Sequence, residues 1–330
     1  MASASQEDLT AASESGRGRQ ASSPRAIPPR GWKDVLWRVY ESLGTDRVMF
    51  TAAAATYYLL LALVPTLSAI VSIYGLFADQ STILDHVAML NGIVPAEGLG
   101  IIREQLERIA GEGNTTLSWT LLISLVIALW SSSAGVKAMF EAMNVAYNEQ
   151  EKRGFIKLNL IALGFTLAFA IAGALVVASV VILPAILAFF PFGPALEWTI
   201  RIASYLLMGI VMLLALGVLY RWGPSRELAK WRWISPGAIF AIVVTLVVSA
   251  IFSWYVANFG NYSATYGSLG ALIGLLTWMW ISATIVIIGA EINSEVEHQT
   301  ARDSTTGPEL PLGERGAYMA DTIGHKADKE

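Results

Sequence analysis

The chain contains no cysteine, so disulfides and thiolate metal sites are excluded. Charge is scarce too: 15% of residues are charged, against about 25% in a typical soluble domain. The three histidines, His86, His298 and His325, are scattered and form no ligand spacing. No zinc-protease, nucleophile-elbow or phosphate-loop pattern occurs, and no carboxylates are spaced to hold Mg²⁺. These absences read as a chain that is not an enzyme, with no cofactor and no metal site. Residues 1–30 lack the apolar core of a cleavable signal and read as a disordered tail, as does the polar stretch 298–330.

What the chain has instead is long apolar runs, at 52–76, 118–141, 157–190, 202–220, 235–257 and 268–292. Hydrophobic residues make up 55% of it, and the mean hydropathy is +0.54. A helix needs about 20 apolar residues to cross a bilayer core. Backbone in lipid must satisfy its own hydrogen bonds, so the runs read as helices. The expected fold is an all-α membrane protein with six transmembrane helices, its membrane domain covering 31–297.

Lys and Arg placement gives the expected orientation. Arg17, Arg19, Arg25, Arg30, Lys33, Arg38 and Arg47 precede the first run; Lys152, Arg153 and Lys157 follow the second; Arg221, Arg226, Lys230 and Arg232 follow the fourth. The first loop instead sets Arg103 and Arg108 against Asp79, Asp85, Glu97, Glu104, Glu107 and Glu112. Both termini are therefore expected in the cytoplasm. This rule already accounts for the basic loops, so they do not call for a nucleic acid partner.

Two further sets of helices are expected at the membrane surface. Trp32, Val35, Leu36, Val39 and Leu43 recur at helical spacing. They fit a helix in the headgroup layer, or a cytoplasmic helix packed on the loops. Stripes at Ile83–Val94 and Leu99–Ile109, split by Pro95, read as two external amphipathic helices. Pro65 should kink the first span. The third run is too long for one straight span, at roughly 50 Å, and should end near Pro184. Gly270 and Gly274 form a small-xxx-small pair, for close packing of the last helix.

Ionisable groups inside apolar runs are costly and mark candidate sites. Lys137 and Glu141, followed by Asn144, lie near the cytoplasmic end of the second run; Glu291 and Asn293 lie near that of the sixth. Lys137 is expected to pair with Glu141 along its helix or with Glu291 across the bundle. The set is open to three readings: an ion pair that fixes helix ends, a gate or proton-coupled carboxylate, or snorkelling side chains. A second polar set, Asn258, Asn261 and Tyr266, marks the outer end, where an aromatic belt also explains the tyrosine.

Four stretches carry a family resemblance: AATYYLLLALVP (54–65), LWSSSAGVKAMFEAMNVAY (129–147), YRWGPSRELAKW (220–231) and YSATYGSLGALIGLLTWMWISATIVIIGAEIN (262–293). In order and spacing they resemble the YihY/BrkB family of bacterial inner-membrane proteins, over about 32–297. The family's older name is ribonuclease BN, a label that the residues oppose. The resemblance implies envelope biology, serum resistance, and transport of a lipid or envelope precursor. Expected partners are membrane lipids, an envelope lipid or precursor as substrate, and a second copy of the chain. A non-transporting scaffold for envelope proteins is the alternative.

Overall fold

The computed structural model describes residues 5–75, 117–177, 193–259 and 269–327. Each apolar run contains a long helix. In chain order the helices are α1 (Gln6–Ala12), α2 (Pro29–Thr45), α3 (Val48–Gly75), α4 (Leu117–Ala146), α5 (Phe155–Val177), α6 (Pro194–Trp222), α7 (Trp231–Phe259), α8 (Leu269–Glu297) and the short α9 (Tyr318–Asp321). Four stretches are long and apolar enough to cross a membrane: Phe155–Gly173, Trp198–Trp222, Trp231–Tyr255 and Leu272–Glu297. Their outward faces are rows of large apolar side chains, as in Ile202, Leu206, Ile210 and Leu214 on α6, or Ile239, Val243, Val247 and Ile251 on α7. In water such faces would be a large exposed apolar surface; in lipid they are in their preferred solvent. The expected external helices of the first loop and the turn beyond Pro184 lie outside the described residues.

The chain divides into two compact units. One comprises Met1–Thr56, Met139–Arg153 and Leu206–Glu330; the other comprises Tyr57–Ala138 and Gly154–Tyr205. The second unit pairs α3 with α4 through small groups. A side chain at Gly135 would press on Leu59 and Ala62, and Thr66 donates to Ser132 at 3.0 Å. Ser132 and Ser133 bond back to carbonyls of their own helix. Helix α3 continues through Pro65.

In the first unit, α7 and α2 both pack on α8. Ala21, Ile27, Val35, Val39, Trp233, Ile292 and Val296 form one buried cluster there. The close approach of α7 to α8 is at Gly237 and Gly289, where a side chain on either would strike the opposite backbone. Gly274, expected to make such a contact, has open space where a side chain would stand. The expected glycine spacing was present, but tight packing is decided by what faces each glycine.

The two ends depart from their expected disorder: 5–28 and 298–327 fold together on this unit. Arg19 donates to Gly324 O at 2.8 Å and Ala301 N donates to Arg19 O at 2.7 Å. Asp34 accepts from Arg17 at 2.7 Å and from Ala327 N at 3.0 Å. Thr300 and Gln299 are fully buried. The polar groups that suggested disorder satisfy one another, a pairing that composition cannot show.

Candidate functional site

Helix α8 brings three carboxyl groups into the first unit within two turns. Glu291, Glu295 and Glu297 are all buried, and their surroundings differ. Glu297 is 0% exposed and accepts from Arg226, itself 2% exposed, at 2.7 Å. Ser304 adds a second donor at 2.8 Å. Arg226 also lies over the ring of Tyr147 at 4.9 Å. Burial alone would pull the Arg226 pKa down, but the Glu297 carboxylate outweighs it and holds the guanidinium above its ordinary value.

Glu295 is held by Arg38 of α2, whose Nε donates to its carboxylate. The same guanidinium donates to Glu295 O (3.0 Å), Gln299 Oε1 (2.9 Å) and His325 O (2.8 Å). A side chain at Gly324 would collide with it. His298 Nδ1 lies 3.4 Å from the Glu295 carboxylate.

Glu291 has no such partner. It is 0% exposed, and neither oxygen accepts a hydrogen bond from an N–H or O–H among the described residues. The group within hydrogen-bonding reach is the carboxyl of Asp46, at the α2–α3 turn. Two carboxylates cannot hydrogen-bond each other unless one carries a proton. Burial, and then the charge of Glu295, push Asp46 above its ordinary value of 3.8, with the bond to Glu291 opposing. Arg47, next in the chain, takes a left-handed backbone (φ 49°) that fixes this turn.

The other expected residues are placed as follows. Asn293 sits beside Glu291 and accepts from Gly237 N at 2.7 Å. It takes the N–H just after Pro236, which has none of its own to donate. Asn144 accepts from Ser225 N at 2.7 Å and donates to Glu151 at 3.3 Å, tying two loops together. Glu151 is further bound by Arg153 at 2.6 Å. Burial raises its pKa, but the Arg153 hydrogen bonds and charge and the Asn144 amide overcome this, bringing it down to about 2.

Lys137, in the second unit, departs from its expected carboxylate pairing: it donates to Asn159 of α5 at 2.9 Å and faces the Trp130 ring at 5.7 Å. Glu141 is exposed. A neutral amide on the adjacent helix satisfies the ammonium without the desolvation cost of a second buried charge. Asn258 closes the last turn of α7, and Asn261 and Tyr266 lie outside the described residues. The sequence does not mark Asp46, Glu295, Glu297 or Asn159 as part of the site, and it marks Arg38 and Arg226 only as cations that set the orientation. The i,i+4 spacing of Glu291 and Glu295 was the one signal that could have extended the site. Among the described residues, no group of three His, Cys, Asp or Glu side chains is placed to hold a metal ion.

Comparison with known proteins places this architecture. A ribonuclease-like protein of Bacillus subtilis, YfkH, is 31% identical over 255 residues, covering 74% of this chain and 88% of its own. A UPF0761 membrane protein of Chlorobium luteolum is 29% identical over 75% of this chain and 56% of its own. One from Alkalilimnicola ehrlichii is 28% identical over 82% and 60%. The chain thus spans little more than half the length of these two relatives. No solved structure matches. The family described as virulence factor BrkB matches residues 39–311. With both the matched region and the four quoted stretches in agreement, the chain belongs to the BrkB family of membrane proteins.

Proposed function

We propose that this protein is a proton-coupled transporter or handler of an envelope lipid or lipid-linked precursor. It works in the bacterial inner membrane with both termini in the cytoplasm, and it is not an enzyme. The observation that carries this reading is Glu291, a fully buried carboxyl on a membrane-spanning helix that has no donor among the described residues and faces Asp46. A purely structural carboxylate would be expected to have partners, as Glu297 does, because an unpaired buried charge costs several kcal/mol. A pair that binds and releases one proton can couple an ion gradient to movement of a substrate.

Released from its own membrane in mild detergent, the full chain should carry a reproducible bound mass of an envelope lipid or precursor in native mass spectrometry. The spectrum also reads monomer against dimer. A bare protein, or only bulk phospholipid, overturns lipid handling. Reconstituted with that lipid in vesicles bearing a proton gradient, Glu291→Gln should abolish gradient-driven flux. Unchanged flux removes Glu291 from the mechanism.

The scaffold reading is favoured by one observation, the folded polar module formed by both chain ends. Crosslinking in native membranes separates the two: a stable, specific protein partner supports the scaffold, and self-contacts alone support the transporter. A nuclease reading rests on the name of the Bacillus relative. RNA cleavage that persists after removal of contaminating nucleases would support it.

A further inference from the structure

Asp46 and Glu291 differ in their access to water. Glu291 is fully buried. Asp46 is only half-buried, and its neighbours Gly44, Thr45 and Arg47 are exposed. One end of the carboxyl pair therefore reaches the surface of the first unit at the α2–α3 turn, and the other does not. One turn deeper on the same face of α8 stands Ile287, apolar and fully buried. Among the described residues, the line of polar groups that starts at the turn ends at Glu291.

Two features suit Asp46 to receive a proton there. First, its backbone is held on both sides: its N–H donates to Ser42 O at 3.0 Å, and the Thr51 hydroxyl donates to its carbonyl at 3.2 Å. The short side chain can turn between water and Glu291 without any backbone change. Second, the charge of Glu295, itself fixed by Arg38 and with His298 at 3.4 Å, adds to burial in holding Asp46 above its ordinary value. A carboxyl at the surface thus takes a proton more readily than a free aspartate would.

We propose that Asp46 is the loading residue of the pair: it takes a proton from water at the α2–α3 turn and hands it to Glu291, which exchanges with water through it. A carboxylate oxygen of Asp46 gains the proton from hydronium and leaves water. That O–H bond then breaks as a Glu291 oxygen takes the proton across the carboxyl–carboxyl hydrogen bond, and Asp46 returns to its carboxylate. This route rests on the reading of the pair as a proton carrier, and it adds where the proton enters and which member meets it first.

The chain has no cysteine, so single cysteines report water access position by position. In the full chain in lipid nanodiscs, Asp46→Cys should react readily with a charged maleimide, as should the exposed reference Thr45→Cys. Glu291→Cys should react at least about tenfold more slowly than Asp46→Cys, because a fully buried thiol must wait for local opening. Equal rates at the two positions, or an unreactive Asp46→Cys, overturn the route. The second readout is hydrogen–deuterium exchange of the protonated-carboxyl stretch. Asp46→Leu leaves Glu291 buried in apolar surroundings, so the band should persist and exchange at least about tenfold more slowly than in the unmodified protein. A band that exchanges as fast, or that vanishes with Asp46→Leu, overturns the route alone. Absence of the band from the unmodified protein overturns the shared proton, and the route with it. The cysteine series decides the matter if Asp46→Leu does not fold.

Discussion

Glu297 and Glu291 lie on the same helix, both 0% exposed, yet one is surrounded by donors and the other faces a carboxyl group. The difference separates two uses of a buried acid. Glu297 is one end of a clamp that joins the 223–230 loop to α8 and to Ser304 of the C-terminal segment. Among the described residues, Glu291 has no donor of this kind. Burial alone does not separate the two carboxyl groups; the donors around them, among the described residues, do.

Breaking the clamp should have the largest effect. Arg226→Met leaves Glu297 buried and unpaired, and should destabilise the protein by about 3–5 kcal/mol. Thermal unfolding in detergent would read this directly. Next comes the contact that flanks Glu291 on α8. Gly237→Ala places a methyl group against the Gly289 carbonyl and the Asn293 side chain, and should cost about 1–3 kcal/mol because backbone must move. The same assay checks it.

A third effect sharpens the contrast through pH. Glu151 is held down to about 2, so its bonds stabilise the fold fully above its ordinary value of 4.5. That stability is lost as pH falls from there toward 2. Glu151→Gln should remove about 1.5 kcal/mol at neutral pH and flatten this acid limb. Asp46 has the opposite sign. Its pKa is raised above 3.8, so the fold binds its proton more tightly than the unfolded chain does. Stability from this group is full below 3.8 and is lost as pH rises through the raised value; Asp46→Asn should abolish that slope in a pH series of melting curves.

The smallest effect on stability is expected at Glu291. Glu291→Gln keeps the shape and can donate to Asp46, so the melting temperature should change by the equivalent of less than about 1 kcal/mol. A large loss would place Glu291 with Glu297 as a structural group.

The positions of the helices were legible because a long apolar run has one solution in lipid. Glu291 and Asn293 were legible because polar groups in such a run stand out. Their neighbours were not. Asp46 is distant in sequence and meets Glu291 through folding. Arg226 lies among loop cations that the orientation rule had already explained. Lys137 was matched to a carboxylate by charge, whereas the chain offers it Asn159, an amide with no sequence signal beyond its polarity. The ends were misread because composition counts polar groups without seeing that Arg19, Asp34 and the residues around Gly324 satisfy one another.

The most direct test of the account is infrared spectroscopy of the purified, reconstituted protein at neutral pH. If Asp46 and Glu291 share a proton, a protonated-carboxyl stretch should be present, and Glu291→Gln and Asp46→Asn should each remove or shift it. A spectrum showing only ionised carboxylates, or a protonated band indifferent to both substitutions, would contradict the shared proton and with it the proposed coupling.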